Sequence, residues 1–148
     1  MTTRYVPPSK KVIRKNRIIF QLTLFGISVY DSWILEVRGR KSGATRRVPV
    51  SLITFEGKNY LSAGRGNTEW VRNLRAAGEG RIRLGLRRRR FQAHELPDDQ
   101  KAPILRVYLA RHITRIGPLF APATPDGPDE MWEGVVANHP VFRLDYRK

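Results

Sequence analysis

The stretch WILEVRGRKSGATRRVPVSLITFEGKNYLSA, residues 33–63, decides the fold. Its first part, WILEVRG, alternates with Trp33, Leu35 and Val37 on one face, which is typical of a half-buried strand. The segment RVPVSLITFEGKNYLSA predicts two further strands that are joined at Glu56–Gly57. Links this short favour antiparallel pairing, because parallel strands need a long crossover connection.

A cation-rich turn joins the first two predicted strands. Its four cations are Arg40, Lys41, Arg46 and Arg47. It is not a Walker A loop, because the order Gly-Lys-Ser/Thr is absent and strand-like residues with Pro49 follow. The backbone N–H groups of a turn with two glycines, together with Ser42, suit a phosphate or several carboxylates. The alternative is a solvated strand connection that is basic because the whole protein is basic.

Outward from this stretch, the pattern predicts an α+β chain in which antiparallel strands dominate. A short helix is predicted for EWVRNLRAAG. Two strands are predicted for RIRLGL and RRFQAHEL, with Ile82, Leu84 and Leu86 on one face. A further helix is predicted for PDDQKAPILRVYLARHI. We interpret Arg87 to Arg90 as a solvated hairpin end. A Pro-rich loop is predicted from Gly117 to Pro128, with PLFAPATP as a lid or pocket wall, before a short helix and a last strand, VFRLDY. Five or six strands in so short a chain favour a small barrel.

Composition limits the class of protein. The 148 residues, 41% of them hydrophobic, are enough for one core. The net charge is +15, and 21 of the 28 basic residues are arginine. This excess of positive charge predicts an anionic partner: nucleic acid, an acidic membrane surface or a phosphorylated small molecule. The basic residues are spread over several elements without a nucleic-acid-binding motif, so we expect no nucleic acid. The lack of Cys excludes thiol catalysis, and with only three scattered His residues we expect no metal site. A chain without Cys fits a cytoplasmic location best.

The N-terminal region, residues 1–30, is predicted to be a basic amphipathic helix attached to a barrel domain of residues 31–148. The helix should run from about Ser9 to Phe25, with Val12, Ile13, Ile19, Phe20 and Leu24 available to one broad face. Gln21 and Gly26 interrupt the apolar run, which argues against a signal peptide, and the run is too short to span a bilayer. The helix either lies on an anionic lipid surface, at the inner face of the membrane, or packs on its own domain.

Four motifs in this order resemble the deazaflavin-dependent nitroreductase family, also called the deazaflavin-dependent quinone reductases. They are GRKSGATRRVPV, YLSAGRG, EWVRNLRAAG and, more weakly, NHPVFRL. The resemblance runs from about Ile34 to Glu95 and implies a split β-barrel that binds coenzyme F-420, an 8-hydroxy-5-deazaflavin with a phospholactyl-oligoglutamate tail. FMN, which related split barrels bind, is a less favoured cofactor.

The resemblance also implies roles for individual residues. Arg40, Lys41 and Arg46 would hold the phosphate and glutamates, with Ser42 assisting. The ring system would lie beside Val48 and Pro49, against the backbone of Ser62, Ala63 and Gly64, with Arg65 as a further cation and Trp70 packed nearby. Tyr108 and His112 are weak candidates for proton donation.

The activity that the resemblance implies is reduction of a quinone-like or nitroaromatic acceptor by the reduced deazaflavin. The chain lacks the tyrosine-rich segment by which nitro-reducing members line their substrate pocket, so the acceptor stays open. The alternative is a non-catalytic protein at the membrane surface that binds a lipid, a flavin or a deazaflavin. Exposed sheet edges favour a homodimer.

Overall fold

A computed structural model describes residues 4–147. In chain order the elements are α1 (Lys10–Leu24), β1 (Ser32–Arg38), β2 (Thr45–Ser51), β3 (Ile53–Phe55), β4 (Lys58–Ser62), α2 (Glu69–Ala77), β5 (Glu79–Leu84), β6 (Arg87–Glu95), a 3-10 turn (Asp98–Gln100), α3 (Ala102–Arg111), α4 (Ile113–Phe120), α5 (Asp129–Glu133), a second 3-10 turn (Val136–Asn138) and β7 (Val141–Tyr146). Residues 1–3 of the predicted N-terminal segment and residue 148 lie outside the described residues.

The seven strands form one curled antiparallel sheet in the order β2-β1-β5-β6-β7-β4-β3. The predicted α+β class and small antiparallel split β-barrel are therefore confirmed. The hairpin between β3 and β4 turns at Glu56 and Gly57, whose φ angles of 50° and 77° are what a two-residue hairpin of type I′ requires.

Two clusters of buried side chains fill the interior. One lies between α2 and the strands β1, β5, β6 and β7, with Leu35, Leu74, Ile82, Phe91 and Phe142 almost fully buried. The other lies among α3, α4, α5 and the strands β3 and β4, and includes Leu105, Leu109, Phe120 and Trp132. The helices of the C-terminal half thus close one side of the sheet, and α2 closes another.

Helix α1 has the predicted position but buries a narrower face than predicted. Ser9 caps it by accepting a hydrogen bond from the backbone of the first turn, as expected for a serine at this position. Ile19 and Thr23 are buried, and the hydroxyl of Thr23 lies 2.7 Å from that of Ser32 on β1. Ile13, which we expected on the apolar face, is 42% exposed. Within residues 4–147, no helix is long and apolar enough to cross a bilayer.

The predicted Pro-rich loop from Gly117 to Pro128 is wrong in its first part. Residues 117–120 complete α4, and Pro118 lies inside that helix. Phe120 is fully buried and belongs to the core, so this part is not a lid. A proline removes only one backbone hydrogen bond from so short a helix, and burial of Ile116 and Phe120 offsets that loss.

The β5–β6 hairpin also differs from the prediction. Leu86 does not share a face with Ile82, because Gly85 turns the chain at a φ of 61° and leaves Leu86 93% exposed. Arg87 to Arg90 are not a hairpin end but the first four residues of β6, exposed and paired with β5. Packing of the Arg89 guanidinium at 3.5 Å from the Tyr146 ring centroid stabilises part of this basic run.

A buried carboxylate joins three strands at the basic end of the sheet. Glu36 on β1 is 4% exposed and accepts hydrogen bonds of 2.9 Å from Arg47 on β2 and from Arg81 on β5. Burial alone would raise the pKa of Glu36, but the hydrogen bonds from the two guanidinium groups outweigh it and lower the pKa. Glu36 is therefore ionised at neutral pH and holds β2 and β5 to β1.

Replacing Glu36 with Gln should lower the free energy of unfolding by about 1.5–3 kcal/mol at neutral pH, because charge-assisted hydrogen bonds are lost. The lowered pKa means that this contribution exists above the unfolded value of 4.5 and disappears as pH falls through the folded value. Urea unfolding at neutral pH and at about pH 3 measures the difference. Exposed Glu133→Gln is the control, and a Glu36→Gln loss that does not shrink at the acidic pH contradicts the prediction.

Candidate functional site

A cavity of about 840 Å³ opens between α1, the turn after β1, β2, the loop after β4 and the helices α2, α3 and α4. Pockets for cofactors and other small molecules commonly have this volume. The structure brings all eleven predicted cofactor-binding residues to this one cavity: Arg40, Lys41, Ser42, Arg46, Val48, Pro49, Ser62, Ala63, Gly64, Arg65 and Trp70. They come from four separate segments, so the sheet is what assembles them.

The turn at residues 39–44 is compact and closed by its own backbone. The N–H of Gly39 donates to the carbonyl of Ala44 at 2.8 Å, and that of Gly43 donates to Gly39 at 2.9 Å. Gly43 has a φ of 75°, which disfavours other residues. The hydroxyl oxygen of Ser42 accepts a 3.2 Å hydrogen bond from the N–H of Ala44, which leaves its proton available to an anion.

The cations around this turn are not equivalent. Arg40 donates to Glu69 and to Asn73, both at 2.8 Å, so α2 holds its guanidinium in place. Arg47 is committed to Glu36. Among residues 4–147, neither Lys41 nor Arg46 has a carboxylate within 4.0 Å. These two side chains are therefore the ones most available to an anionic ligand.

The loop after β4 forms another wall, and two of its predicted contacts are used within the protein. The hydroxyl of Ser62 donates to the carbonyl of Pro140 at 2.9 Å. Arg65 donates to the carbonyl oxygens of Val6 and Pro7 at 3.4 and 3.2 Å, and thereby holds the N-terminal segment beside the cavity. Arg65 lines the cavity, but its role in these contacts is structural.

Gly64 allows a close approach within that loop. A Cβ at this position would lie 3.3 Å from the Cδ1 atom of Leu119 on α4, so a larger residue would press on the neighbouring wall. Behind the loop, His139 is 1% exposed and stacks on Phe120 with ring centroids 3.9 Å apart. Burial lowers the pKa of His139 to about 4, so its imidazole is neutral at pH 7. Sequence reasoning missed this histidine, which supports the loop from behind.

The apolar wall is built from β2 and α2. Val48 and Pro49 are half-buried on β2, where Pro49 lies opposite Ile34 of β1. Trp70 on α2 is tilted against Phe142 with ring centroids 6.2 Å apart. A flat ring system could lie along these side chains, because they offer apolar surface next to the backbone of Gly64.

The two candidates for proton donation are placed differently. Tyr108 lines the cavity, and its burial raises the pKa of its phenol. His112 is not among the lining residues, and its Nε2 lies 3.3 Å from the carboxylate of Asp31. Burial lowers the pKa of His112, with the nearby Arg115 acting in the same direction and Asp31 opposing it. Neither group is well suited to give a proton at neutral pH.

Several lining residues were not anticipated from the sequence. Lys11, Lys15 and Ile19 reach the cavity from α1 at intervals of four residues, a spacing that was visible in the sequence. Tyr30 and Arg115 reach it from the loop after α1 and from α4. Nothing in the local sequence connects these two, because only the packing of α4 beside the loop brings them together.

The side chains that line the cavity fit the cofactor that the motifs imply. Lys41 and Arg46 bring positive charge to the lining of the cavity, and Val48, Gly64 and Trp70 bring apolar and close-packed surface to the same lining. An anionic tail on a flat heterocycle has the same division into charged and apolar parts. The lining thus offers both kinds of surface that such a molecule would contact.

Comparison with known proteins agrees with this geometry. The model of one protein family, F420H(2)-dependent quinone reductase, matches residues 19–114. No curated protein matches. Among solved structures, an F420-H2 dependent reductase is similar over 78% of this chain and 94% of its own, with 17% identity and a TM-score of 0.54.

Two further solved structures share the fold. One, described as a 5-nitroimidazole antibiotic resistance protein from Bacteroides thetaiotaomicron, is 12% identical over 97% of this chain and 82% of its own, with a TM-score of 0.55. The other, described as a domain-swapped dimer, is 20% identical over 91% of this chain and 96% of its own, also with a TM-score of 0.55. At these identities the likeness concerns the fold alone.

Replacing Lys41 and Arg46 together with Ala should weaken binding of the deazaflavin by about 3–6 kcal/mol, at about 1.5–3 kcal/mol for each charge-assisted contact. The loss should be much smaller for a deazaflavin without the tail, because the missing anion is what these residues meet. Titration of cofactor fluorescence measures both affinities. The double variant Lys58→Ala and Arg88→Ala removes the same charge from outside the cavity, and an equal loss in that control contradicts the assignment.

Proposed function

This chain belongs to the deazaflavin (coenzyme F-420)-dependent quinone reductase family and is a deazaflavin-dependent oxidoreductase, and we propose that its acceptor is an apolar quinone. The observation that carries the proposal is the second half of the cavity. Away from the turn of residues 39–44, the lining continues over the half-buried or buried side chains of Val12, Ile19, Val29, Ile116 and Leu119. An apolar molecule fits this surface better than a small polar one.

We propose the following roles for the residues around the cofactor. Lys41 and Arg46 bind the anionic tail, Arg40 is held by Glu69 and Asn73 to face the same anion, and Ser42 donates one more hydrogen bond. The second set orients the ring system: Val48, Pro49, the backbone of residues 62–64, and Trp70. Arg65 acts indirectly, because it holds the segment of Val6 and Pro7 against the cavity.

The chain's contribution to the reaction is orientation and exclusion of water. When bound, the reduced deazaflavin supplies a hydride. The apolar wall and α1 hold the quinone beside the ring, and the N-terminal segment, bridged from Tyr5 to Gly66, covers the site. No nucleophilic side chain is required, which agrees with the absence of Cys from the sequence.

Anaerobic oxidation of the reduced cofactor tests the acceptor. We expect a quinone with an isoprenoid tail to be reduced faster than the same quinone without the tail, and both faster than a small nitroaromatic. Leu119→Ala should lower the preference for the tail about fivefold, because burial of part of a leucine contributes about 1 kcal/mol. Leu84→Ala removes a similarly half-buried leucine outside the cavity and is the control. Equal rates with and without the tail would contradict the proposed acceptor.

We also propose that the chain touches an anionic membrane through an apolar tip, defined here as Phe25, Ile27 and Leu86. Contact between Gly26 and Gly85 brings the end of α1 against the β5–β6 hairpin. The three tip side chains are 82%, 51% and 93% exposed. Arg83 and Arg87 adjoin Leu86, so an apolar insertion point is flanked by cations that would meet acidic headgroups. In this proposal the end of α1, which belongs to the N-terminal region of residues 1–30, and the β5–β6 hairpin of the barrel domain of residues 31–148 both meet the membrane.

If the apolar tip inserts into the membrane, removal of its leucine should weaken binding to vesicles. Leu86→Ser should reduce co-sedimentation with phosphatidylserine vesicles about tenfold, because a buried leucine side chain contributes about 1.5 kcal/mol or more. Binding should fall with added salt and be weak for phosphatidylcholine vesicles. Ile113→Ser changes a 46% exposed residue elsewhere and should have little effect. Equal binding to neutral vesicles would exclude the electrostatic part of the proposal.

Pairing of two copies is a further proposal. The strands β2 and β3 are the two edge strands of the sheet, and a second chain could pair with either edge. A similar fold in a structure described as a domain-swapped dimer supports the possibility of pairing. The sedimentation coefficient of the protein decides between one copy and two.

A further inference from the structure

Two cations lie over the ring of Tyr30, in the part of the cavity that we assign to the acceptor. The Nζ atom of Lys15 on α1 lies 4.7 Å from the centroid of its ring, and the guanidinium carbon of Arg115 on α4 lies 4.8 Å from it. Tyr30, Lys15 and Arg115 all line the cavity. The two cations are attached to two different helices, α1 and α4.

The backbone holds Tyr30 in an uncommon conformation. Tyr30 and Asp31 have φ angles of 56° and 59°, so two consecutive residues other than glycine adopt the left-handed region. Ser51 fixes the segment, since its hydroxyl donates to the carbonyl of Tyr30 at 2.7 Å and accepts from Arg115 at 3.1 Å. Strain of this kind persists where the surroundings hold it, and here it directs a phenol towards the cations.

The charges that face Tyr30 come from every neighbouring element. The ammonium group of Lys15 beside the phenol lowers the pKa of Tyr30, and Arg115 adds a smaller effect in the same direction. His112 contacts the ring edge at 6.2 Å between centroids. The nearby carboxylate of Asp31 is balanced by Arg111, whose hydrogen bond lowers the pKa of that carboxyl. The net field around the phenol is therefore positive and favours the tyrosinate.

We infer that Tyr30 is the acid of the proposed reduction, giving its phenolic proton to the oxygen of the acceptor, with Lys15 and Arg115 as its positioning partners. This inference rests on the proposed function, since it assumes a carbonyl acceptor in the cavity. A group whose charged form is stabilised gives up its proton more readily, and its exposure of 39% lets water restore that proton between turnovers.

The step balances for a quinone. The quinone gains a hydride from the reduced deazaflavin, whose C–H bond to that hydrogen breaks. The hydrogen ends as the O–H hydrogen on one quinone oxygen, and with the two electrons it brings, the two C=O double bonds become the C–O single bonds of a hydroquinone. The oxygen that carries the developing negative charge forms a new O–H bond as the O–H bond of Tyr30 breaks. The tyrosinate that results is balanced by Lys15 and Arg115 and takes a proton from water, while the oxidised cofactor is released or reduced again elsewhere.

Tyr108, the neighbouring phenol, is a poor acid in comparison. It is 6% exposed, and burial raises its pKa although Arg115 opposes that effect. A proton lost from Tyr108 could not be replaced directly from water. Tyr30 and Tyr108 thus both lie near Arg115 and have opposite tendencies to ionise.

Absorbance titration of the five tyrosines tests the acidity of Tyr30 without cofactor or acceptor. We expect one tyrosine to ionise at lower pH than the rest, to be missing in Tyr30→Phe, and to shift to higher pH in Lys15→Gln. Tyr146→Phe is the matched control, because its ring also faces a guanidinium, that of Arg89 at 3.5 Å, but it lies outside the cavity and burial raises its pKa. That variant should lose only a tyrosine that ionises late.

Kinetics with the full chain test the role in turnover. Tyr30→Phe should lower kcat on the order of 100-fold, the usual range for a lost general acid, with little change in KM or in cofactor affinity. The wild-type kcat should fall as pH rises through the lowered pKa of Tyr30, because only the phenol gives a proton, and this fall should be absent in Tyr30→Phe. Tyr146→Phe should behave as the wild type.

The outcomes separate this inference from the proposed function. If the wild type turns over a quinone and Tyr30→Phe is equally fast, or is slower with an unchanged pH dependence, the acid role is excluded and the reductase remains. If no tyrosine ionises early, the electrostatic premise is wrong. If the wild type binds the cofactor but reduces no quinone, the proposed function fails and the acid role fails with it.

Discussion

The buried carboxylate of Glu36 is the constraint on which the site depends. The chain carries a net charge of +15, and the strands β2 and β5 bring Arg47 and Arg81 to the same place on either side of β1. Without a carboxylate between them, the two guanidinium groups would repel each other, and a buried carboxylate without a cation would destabilise the folded state. The Glu36 carboxylate and the two guanidinium groups pair with one another and hold β1 between β2 and β5. Strand β1 ends where the turn of residues 39–44 begins. The anion-binding turn is therefore supported by an internal ion-pair network that is centred on one buried carboxylate.

The N-terminal segment converts an open sheet into a covered cavity. Backbone hydrogen bonds join Val6 to Arg65 at 2.8 Å and Asn67 to Arg4 at 2.7 Å, while α1 packs on β1, β2 and β5. The same helix directs Lys11 and Lys15 into the cavity and ends near the apolar tip. Helix α1 thus packs on its own domain, which was one of the two expected alternatives, and its outer side stays free for the proposed contact with lipid.

Much of the site was predictable because its residues are adjacent in sequence. The turn from Gly39 to Arg47 is a local structure, closed by its own hydrogen bonds, and its charge and glycines indicate an anion whatever the rest of the chain does. The capped helix at Thr68 to Gly78 is local in the same sense. The predictions that were wrong concern burial: Phe120 is core because α5 and β7 pack around it, and Leu86 is exposed because Gly85 reverses the chain. Neither fact depends on nearby residues alone.

The sequence by itself determined the antiparallel strands, the turn that gathers cations, the basic helix at the N-terminus and, through four motifs, the family. These follow from periodicity, charge and short-range hydrogen bonding, which act over a few residues. The tertiary structure alone decided that eleven residues share one cavity, that Arg65 is used to hold the N-terminal segment, and that Tyr30 meets Lys15 and Arg115. Tyr30 and Arg115 are 85 positions apart, and only the packing of α4 beside the loop after α1, which the burial of distant apolar side chains dictates, brings them into contact.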